Sequence, residues 1–279
     1  MPELFTITQE WADYSHYSTG GTRAKKYLQS PEGMFYFFKR SQVKPGKDYR
    51  YEFWSEVIAF ELGTMLGFPM LRYDVAVDEW VMGCISQSMI NSEHEELVEG
   101  VKYLQALAPD YNPSLKAHQK RYTFDLIKNS LEHARLLDFM PQLVEIIIFD
   151  ALIGNGDRHQ ENWAFISRHV PMHEAIEEME KSGEMENLAR VTKWIMRWLK
   201  KNVEWLHTRR KERGLTMSSG LYVPTLRMAP IYDSGSSLGR ELTEERVVQL
   251  LSSEKELTRY IEKGKAEIHW NNEKVNHFT

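Results

Sequence analysis

Asp157 and Asn162 stand five residues apart in a loop between two apolar runs, within the segment Ile146 to Ile166 (IIIFDALIGNGDRHQENWAFI). Ile146, Ile147, Ile148, Phe149, Leu152 and Ile153 predict a buried helix. Gly154-Asn155-Gly156 breaks it, and Trp163 to Ile166 predicts a short buried strand. Charged groups are rarely held between two buried elements unless a cleft uses them. Phosphoryl transfer needs a carboxylate to take the proton of an attacking hydroxyl, and an amide oxygen to hold a phosphate-bridging Mg²⁺. This spacing supplies both. Taken alone, the pair reads more readily as an Asp or Asn capping a turn.

Other residues would complete that chemistry. Lys39 closes the aromatic run Met34 to Arg40, a predicted strand, and Glu56 lies early in a helix predicted over Glu52 to Leu66 and ended by Gly67-Phe68-Pro69. A lysine on a strand followed by a glutamate on the next helix is a pairing that positions phosphates. Upstream, Ser15 to Lys26 (SHYSTGGTRAKK) is a small, cationic loop. Its Gly20 and Gly21 allow close backbone approach to a phosphate, and Lys25 adds charge. Downstream, Ile231-Tyr232 reads as a short strand delivering Asp233 to a Ser-Gly-Ser-Ser turn, a place for a second Mg²⁺ ligand. Each residue singly has a plain surface or turn reading. In this order they reproduce the electrostatic parts of Mg²⁺-dependent phosphoryl transfer.

Leu71 to Ile90 predicts two strands joined at Asp78-Glu79, extending an N-terminal sheet. From Glu93 to Met140 the pattern turns helical, broken at Pro109 to Pro113. Val170 to Gly214 is charge-rich and helical, with Leu188, Val191, Ile195, Trp198 and Leu199 on one face and Lys193, Arg197, Lys200 and Lys201 on the other. Leu242 to Thr279 predicts one or two helices and a polar tail. The expectation is an α+β fold with two lobes: a small antiparallel β-rich nucleotide-binding lobe over 1–91, and a larger helical catalytic lobe over 92–279 with a helical insert at about 170–214.

The chain has 279 residues, 42% hydrophobic and 27% charged, which is globular composition with no low-complexity tract. A net charge of −5 argues against a dedicated nucleic-acid binder. The single cysteine, Cys84, leaves no internal disulfide framework. No run approaches the roughly 18–20 apolar residues of a membrane span, and MPELFTITQEW does not read as a signal peptide. A cytoplasmic location is expected, with a secreted effector role as an alternative.

These motifs resemble the HipA-like serine/threonine kinases, whose core is similar to the phosphatidylinositol 3/4-kinase fold. Ser18 to Lys25 resembles the family's S-x-x-G-x-x-x-K phosphate loop, and Asn155 to Asn162 (NGDRHQEN) its N-x-D-x-H-x-x-N catalytic loop. Lys39, Glu56 and Tyr232-Asp233-Ser234 resemble its remaining motifs, so that the likeness spans residues 18 to 240. The resemblance implies ATP as phosphate donor, Asp157 as base, Asn162 and Asp233 as Mg²⁺ ligands, and Lys39 on the phosphates. It also places Lys25, Glu56 and His159 at the nucleotide site and makes Ser18 a candidate for autophosphorylation. The partners it implies are a protein substrate with a Ser or Thr acceptor and an antitoxin-like protein, as in bacterial toxin–antitoxin pairs. The chain begins close to the phosphate loop, like the short stand-alone members, and its Asn162–Asp233 interval is longer than usual. Two other readings compete. One is a small-molecule phosphotransferase, since G-D-x-H-x-x-N also resembles aminoglycoside phosphotransferases; the other is a nucleotide-binding pseudokinase. A metal hydrolase using Asp157, His159, His169 and His173 is the weakest, because these histidines straddle a predicted strand and read more plainly as surface groups.

Overall fold

The computed structural model describes residues 2–15, 25–41, 43–44, 47–48, 50–90, 95–213, 222–270 and 273–277. The chain opens with β1 (Leu4–Ile7), β2 (Ala12–Asp13), β3 (Lys25–Gln29), β4 (Phe35–Arg40), β5 (Val43–Lys44), β6 (Lys47–Asp48) and α1 (Glu52–Met65). It continues through β7 (Asp74–Asp78), β8 (Val81–Gln87), β9 (Glu95–Glu99), α2 (Gly100–Leu107), α3 (Phe124–His133) and α4 (Met140–Ile153). After the central loop come β10 (Ala164–Pro171), α5 (Met172–Ser182), α6 (Arg190–Glu212) and β11 (Tyr222–Met228). The chain ends in α7 (Glu244–Leu251), α8 (Glu254–Glu262), β12 (Lys265–Trp270) and β13 (Glu273–Asn276). The mixture is α+β, as expected.

Two compact units are present. The first holds 1–89, 99–164 and 228–279; the second holds 90–98 and 165–227. The first unit is founded on a six-stranded sheet of order β1-β7-β8-β4-β3-β2. Alternation sorts its side chains. Leu28, Phe38, Ala76 and Ile85 make one core, while Val75 and Cys84 on the other face pack with Phe53 and Val57 of α1. α4 starts with Pro141 in its first turn and stops at Gly154, whose φ of +67° is the left-handed conformation that ends a helix. The second unit carries the three-stranded sheet β11-β10-β9 and the helices α5 and α6.

Several expectations need correction. The sheet is not wholly antiparallel, because β1 pairs parallel with β7. β9 occupies ground expected to be helical: its five residues are too few for a period to show. The strand after the central loop runs to Pro171 rather than Ile166, since β10 continues through the polar Ser167, Arg168 and His169. The tail contains the hairpin β12–β13 beyond its two helices. α4 is not buried all round, for Ile148 is 50% and Leu152 57% exposed. On α6, Val191, Ile195 and Trp198 are exposed, and the helix buries Val203 instead.

Candidate active site

Strand register decides where Lys39 points. It pairs with Cys84 of β8 and Lys25 of β3, one position after the buried Phe38, so its side chain emerges on the α1 side of the sheet. There Lys39 Nζ lies 2.6 Å from Glu56 Oε1 and 2.7 Å from Asp233 Oδ1, over the Tyr73 ring. Glu56 is 1% exposed, and its second oxygen accepts the Ser234 N–H at 2.8 Å. One carboxylate thus ties the β4 lysine to the turn that follows Asp233. That turn is tight: Asp233 has φ of +56° and donates its N–H to the Tyr73 hydroxyl. A Cβ on Gly235 would lie 3.0 Å from Glu52 Cγ and 3.2 Å from Glu56 Oε1, closer than side chains normally approach.

The electrostatics follow from this packing. Burial works against the Lys39 charge, but the Asp233 and Glu56 carboxylates outweigh it and hold the ammonium well above its ordinary range. Burial raises the Glu56 carboxyl, with Lys39 pulling the other way and Asp233 adding to the rise. Lys25 is lowered by burial and by neighbouring Lys39, while Asp233 and Glu99 oppose the fall. Two cations therefore approach each other beside Asp233, an arrangement that a bound polyphosphate would relieve.

The central loop is held from within. Asp157 N–H donates to Asn155 Oδ1 at 3.2 Å, and Asn162 Nδ2 donates to the Asp157 carbonyl at 2.8 Å. With its amide nitrogen so engaged, Asn162 has its amide oxygen as the atom a cation could use. Asp157 Oδ2 accepts from Ser236 Oγ at 3.2 Å, and Ser236 Oγ in turn accepts from Arg240, which pairs with Glu52 at 3.2 Å. His159 Nδ1 accepts the Glu161 N–H, so that ring nitrogen serves the loop itself.

Arg158 connects the loop to the Asp233 strand. It makes a bidentate pair with Asp150 of α4 at 2.8 and 2.9 Å, both residues being 3% exposed. Its remaining N–H groups reach the Asn162 and Tyr232 carbonyls. Tyr232 in turn donates its hydroxyl to the Glu161 carbonyl.

The structure therefore brings Lys39, Glu56 and Asp233 into contact, joins Asp157 to the same turn through Ser236, and sets Lys25 across from Lys39. Ser18, Gly20 and Gly21 lie outside the described residues. His169 and His173 belong to the second unit, Asp157 and His159 to the first. Sequence reasoning missed Asp150, Arg158, Ser236, Arg240 and Tyr73. Asp150 was findable: a carboxylate inside IIIFDALI needs a buried partner. The donor set of one carboxylate and one amide oxygen fits magnesium, which takes few protein oxygens and completes its shell with phosphates and water.

A scan against protein-family models finds no match, and neither does a comparison with curated proteins. Among solved structures, the chain is similar to the crystal structure of a Helicobacter pylori proinflammatory kinase, CtkA. The TM-score is 0.64 at 16% identity, covering 99% of this chain and 75% of that one. At that identity the likeness shows a shared kinase fold.

Proposed function

We propose that the protein is an ATP- and Mg²⁺-dependent phosphotransferase, and within that class a HipA-like serine/threonine protein kinase. The observation that carries this reading is the Lys39 ammonium shared by Glu56 at 2.6 Å and Asp233 at 2.7 Å, on the face of the sheet that also presents Lys25. Lys39 and Lys25 bind the phosphates of ATP, and Glu56 fixes the Lys39 side chain. Asn162 and Asp233 would hold the magnesium ion, which when bound neutralises charge on the transferred phosphoryl group. Asp157, oriented through Oδ2 by Ser236, accepts the proton of the acceptor hydroxyl as its oxygen bonds to the γ-phosphorus and ADP leaves.

The kinase fold supports the reaction class. The motif likeness from Ser18 to Ser234 supports a protein Ser/Thr acceptor, Ser18 as an autophosphorylation site, and an antitoxin-like partner.

Intact mass after incubation with Mg²⁺ and ATP, beside an Asp157→Asn variant, tests the reading. A phosphate gained by the wild type alone and mapping to Ser18 is the expected result. No gain in either protein, with ATP still bound, would overturn the protein-kinase reading in favour of a small-molecule phosphotransferase or a pseudokinase.

A further inference from the structure

α6 is patterned the wrong way round for a surface helix. Val203, 6% exposed, marks its buried side, where Lys193 and Lys200 are neutralised by Glu186 at 3.2 Å and Glu180 at 2.7 Å. On the opposite side, spaced at i, i+4 and i+11, Trp194, Trp198 and Trp205 fall within roughly 40° of one another on an ideal helix. They are 67%, 55% and 55% exposed. The outward face of a helix ordinarily carries charge. Here three indoles form a ridge, flanked by the exposed Arg197, which also lies 3.9 Å from Glu180, and by Lys201 and Arg209, with the Arg209 guanidinium 4.9 Å above the Trp205 ring. Over Arg190–Glu212 the sequence has eight lysines and arginines against two glutamates, in a chain of net charge −5.

We propose that this face of α6 binds the anionic surface of a phospholipid membrane, with the helix lying in the plane of the interface. Indole is apolar with one N–H donor, and prefers the boundary between headgroups and acyl chains. The flanking cations extend from the same face to lipid phosphates and carboxylates, each strengthening attachment to an anionic leaflet. The ridge is convex, the outer side of a single helix. A fluid headgroup layer deforms around such a shape, whereas a folded protein would need a matching groove. A second copy of this helix would set basic flank against basic flank, so self-association is the poorer fit. No described helix is long and apolar enough to cross a membrane.

The test uses the full chain with vesicles of phosphatidylcholine alone, or containing about 30% phosphatidylserine, followed by co-sedimentation and indole emission. Expected are binding to the serine-containing vesicles only, a blue-shifted emission, and weakening as salt is raised. Arg197→Glu with Lys201→Glu should reduce binding roughly tenfold or more. Trp194→Ser, Trp198→Ser and Trp205→Ser together should abolish it; these side chains are exposed, so circular dichroism should be unchanged. Equal binding to both vesicle types, or to neither, overturns the proposal. So does a tryptophan-dependent dimer, or binding to polyglutamate without vesicle binding, which would assign the face to a second copy or to an acidic polypeptide.

Discussion

At the residue scale, the buried Asp150–Arg158 pair is the joint on which the site's geometry depends. Replacing one partner leaves a buried charge unmatched, so Arg158→Met should cost about 3–5 kcal/mol. Thermal unfolding should register this as a drop of roughly 10 °C. Combining it with Asp150→Leu should return much of the stability, because two apolar groups then replace two charges. It should not return phosphorylation, because the Asn162 and Tyr232 carbonyls remain without their Arg158 donor. A double mutant as inactive as the single but clearly more stable is the expected result; recovered activity would remove Arg158 from its positioning role.

The second residue-scale prediction concerns pH. Lys39 sits well above its ordinary pKa, so its own charge is complete below about 10.4 and is lost only as pH rises through the raised folded value. Around neutrality Lys39 does not titrate. Glu56 is raised by burial, so as pH falls it takes up a proton before an ordinary carboxylate does, and the Lys39–Glu56 pair is lost from the acid side. The acidic limb of the rate profile should therefore lie above the usual carboxylate range. Glu56→Gln should lower the neutral-pH rate and move that limb down, read from phosphate transfer between about pH 5 and 8. A limb unchanged in Glu56→Gln would assign it to another group.

At the scale of elements, the β4–β8 pairing aims Lys39, and it tolerates no side chain at Gly83. A Cβ there would lie inside contact distance of the Lys39 carbonyl oxygen and 2.8 Å from Phe38 Cε2. Gly83→Ala should therefore destabilise the protein by about 1–3 kcal/mol and weaken ATP binding, since the strand it displaces carries Lys39. Calorimetric titration with ATP beside a thermal melt checks this; a lower melting temperature with unaltered affinity would separate the pairing from the site. The elements that carry the site were also those legible in the sequence. β4, α1, β7–β8 and α4 are dense in apolar residues, and turn-formers mark them off: Gly33 before β4, Gly67 after α1, Asp78-Glu79 between β7 and β8, and Gly154 after α4. What was illegible depended on partners distant in the chain. β1 is four residues long and gains its parallel place only from β7, and β9 is five residues long. The amphipathic reading of α6 found an apolar face, but periodicity does not say whether such a face is covered. Arg158 looked like another loop charge until Asp150 and the Tyr232 carbonyl closed around it.

At the scale of the molecule, the longer of the second unit's two segments, 165–227, begins and ends on one pair of strands, β10 and β11. Ala229 N–H donates to the Ala164 carbonyl, and Thr225 Oγ1 to the Arg168 carbonyl. The two strands are neighbours in the sheet, and β10 ends at Pro171 where β11 begins at Tyr222. The segment 172–221, which includes α5 and α6, thus connects one strand of the sheet to its neighbour, a connection that a two-residue turn makes in a hairpin. Every residue assigned to phosphoryl transfer lies in the first unit, whose core clusters draw on β3, β4, β7, β8 and α1. Replacing 172–221 by Asn-Gly should therefore yield a folded protein that still binds ATP and still gains phosphate in the intact-mass assay, while losing attachment to anionic vesicles. Retained phosphorylation with lost lipid binding would locate the two activities in separate units. A folded variant that binds ATP but gains no phosphate would show instead that the segment takes part in the transfer.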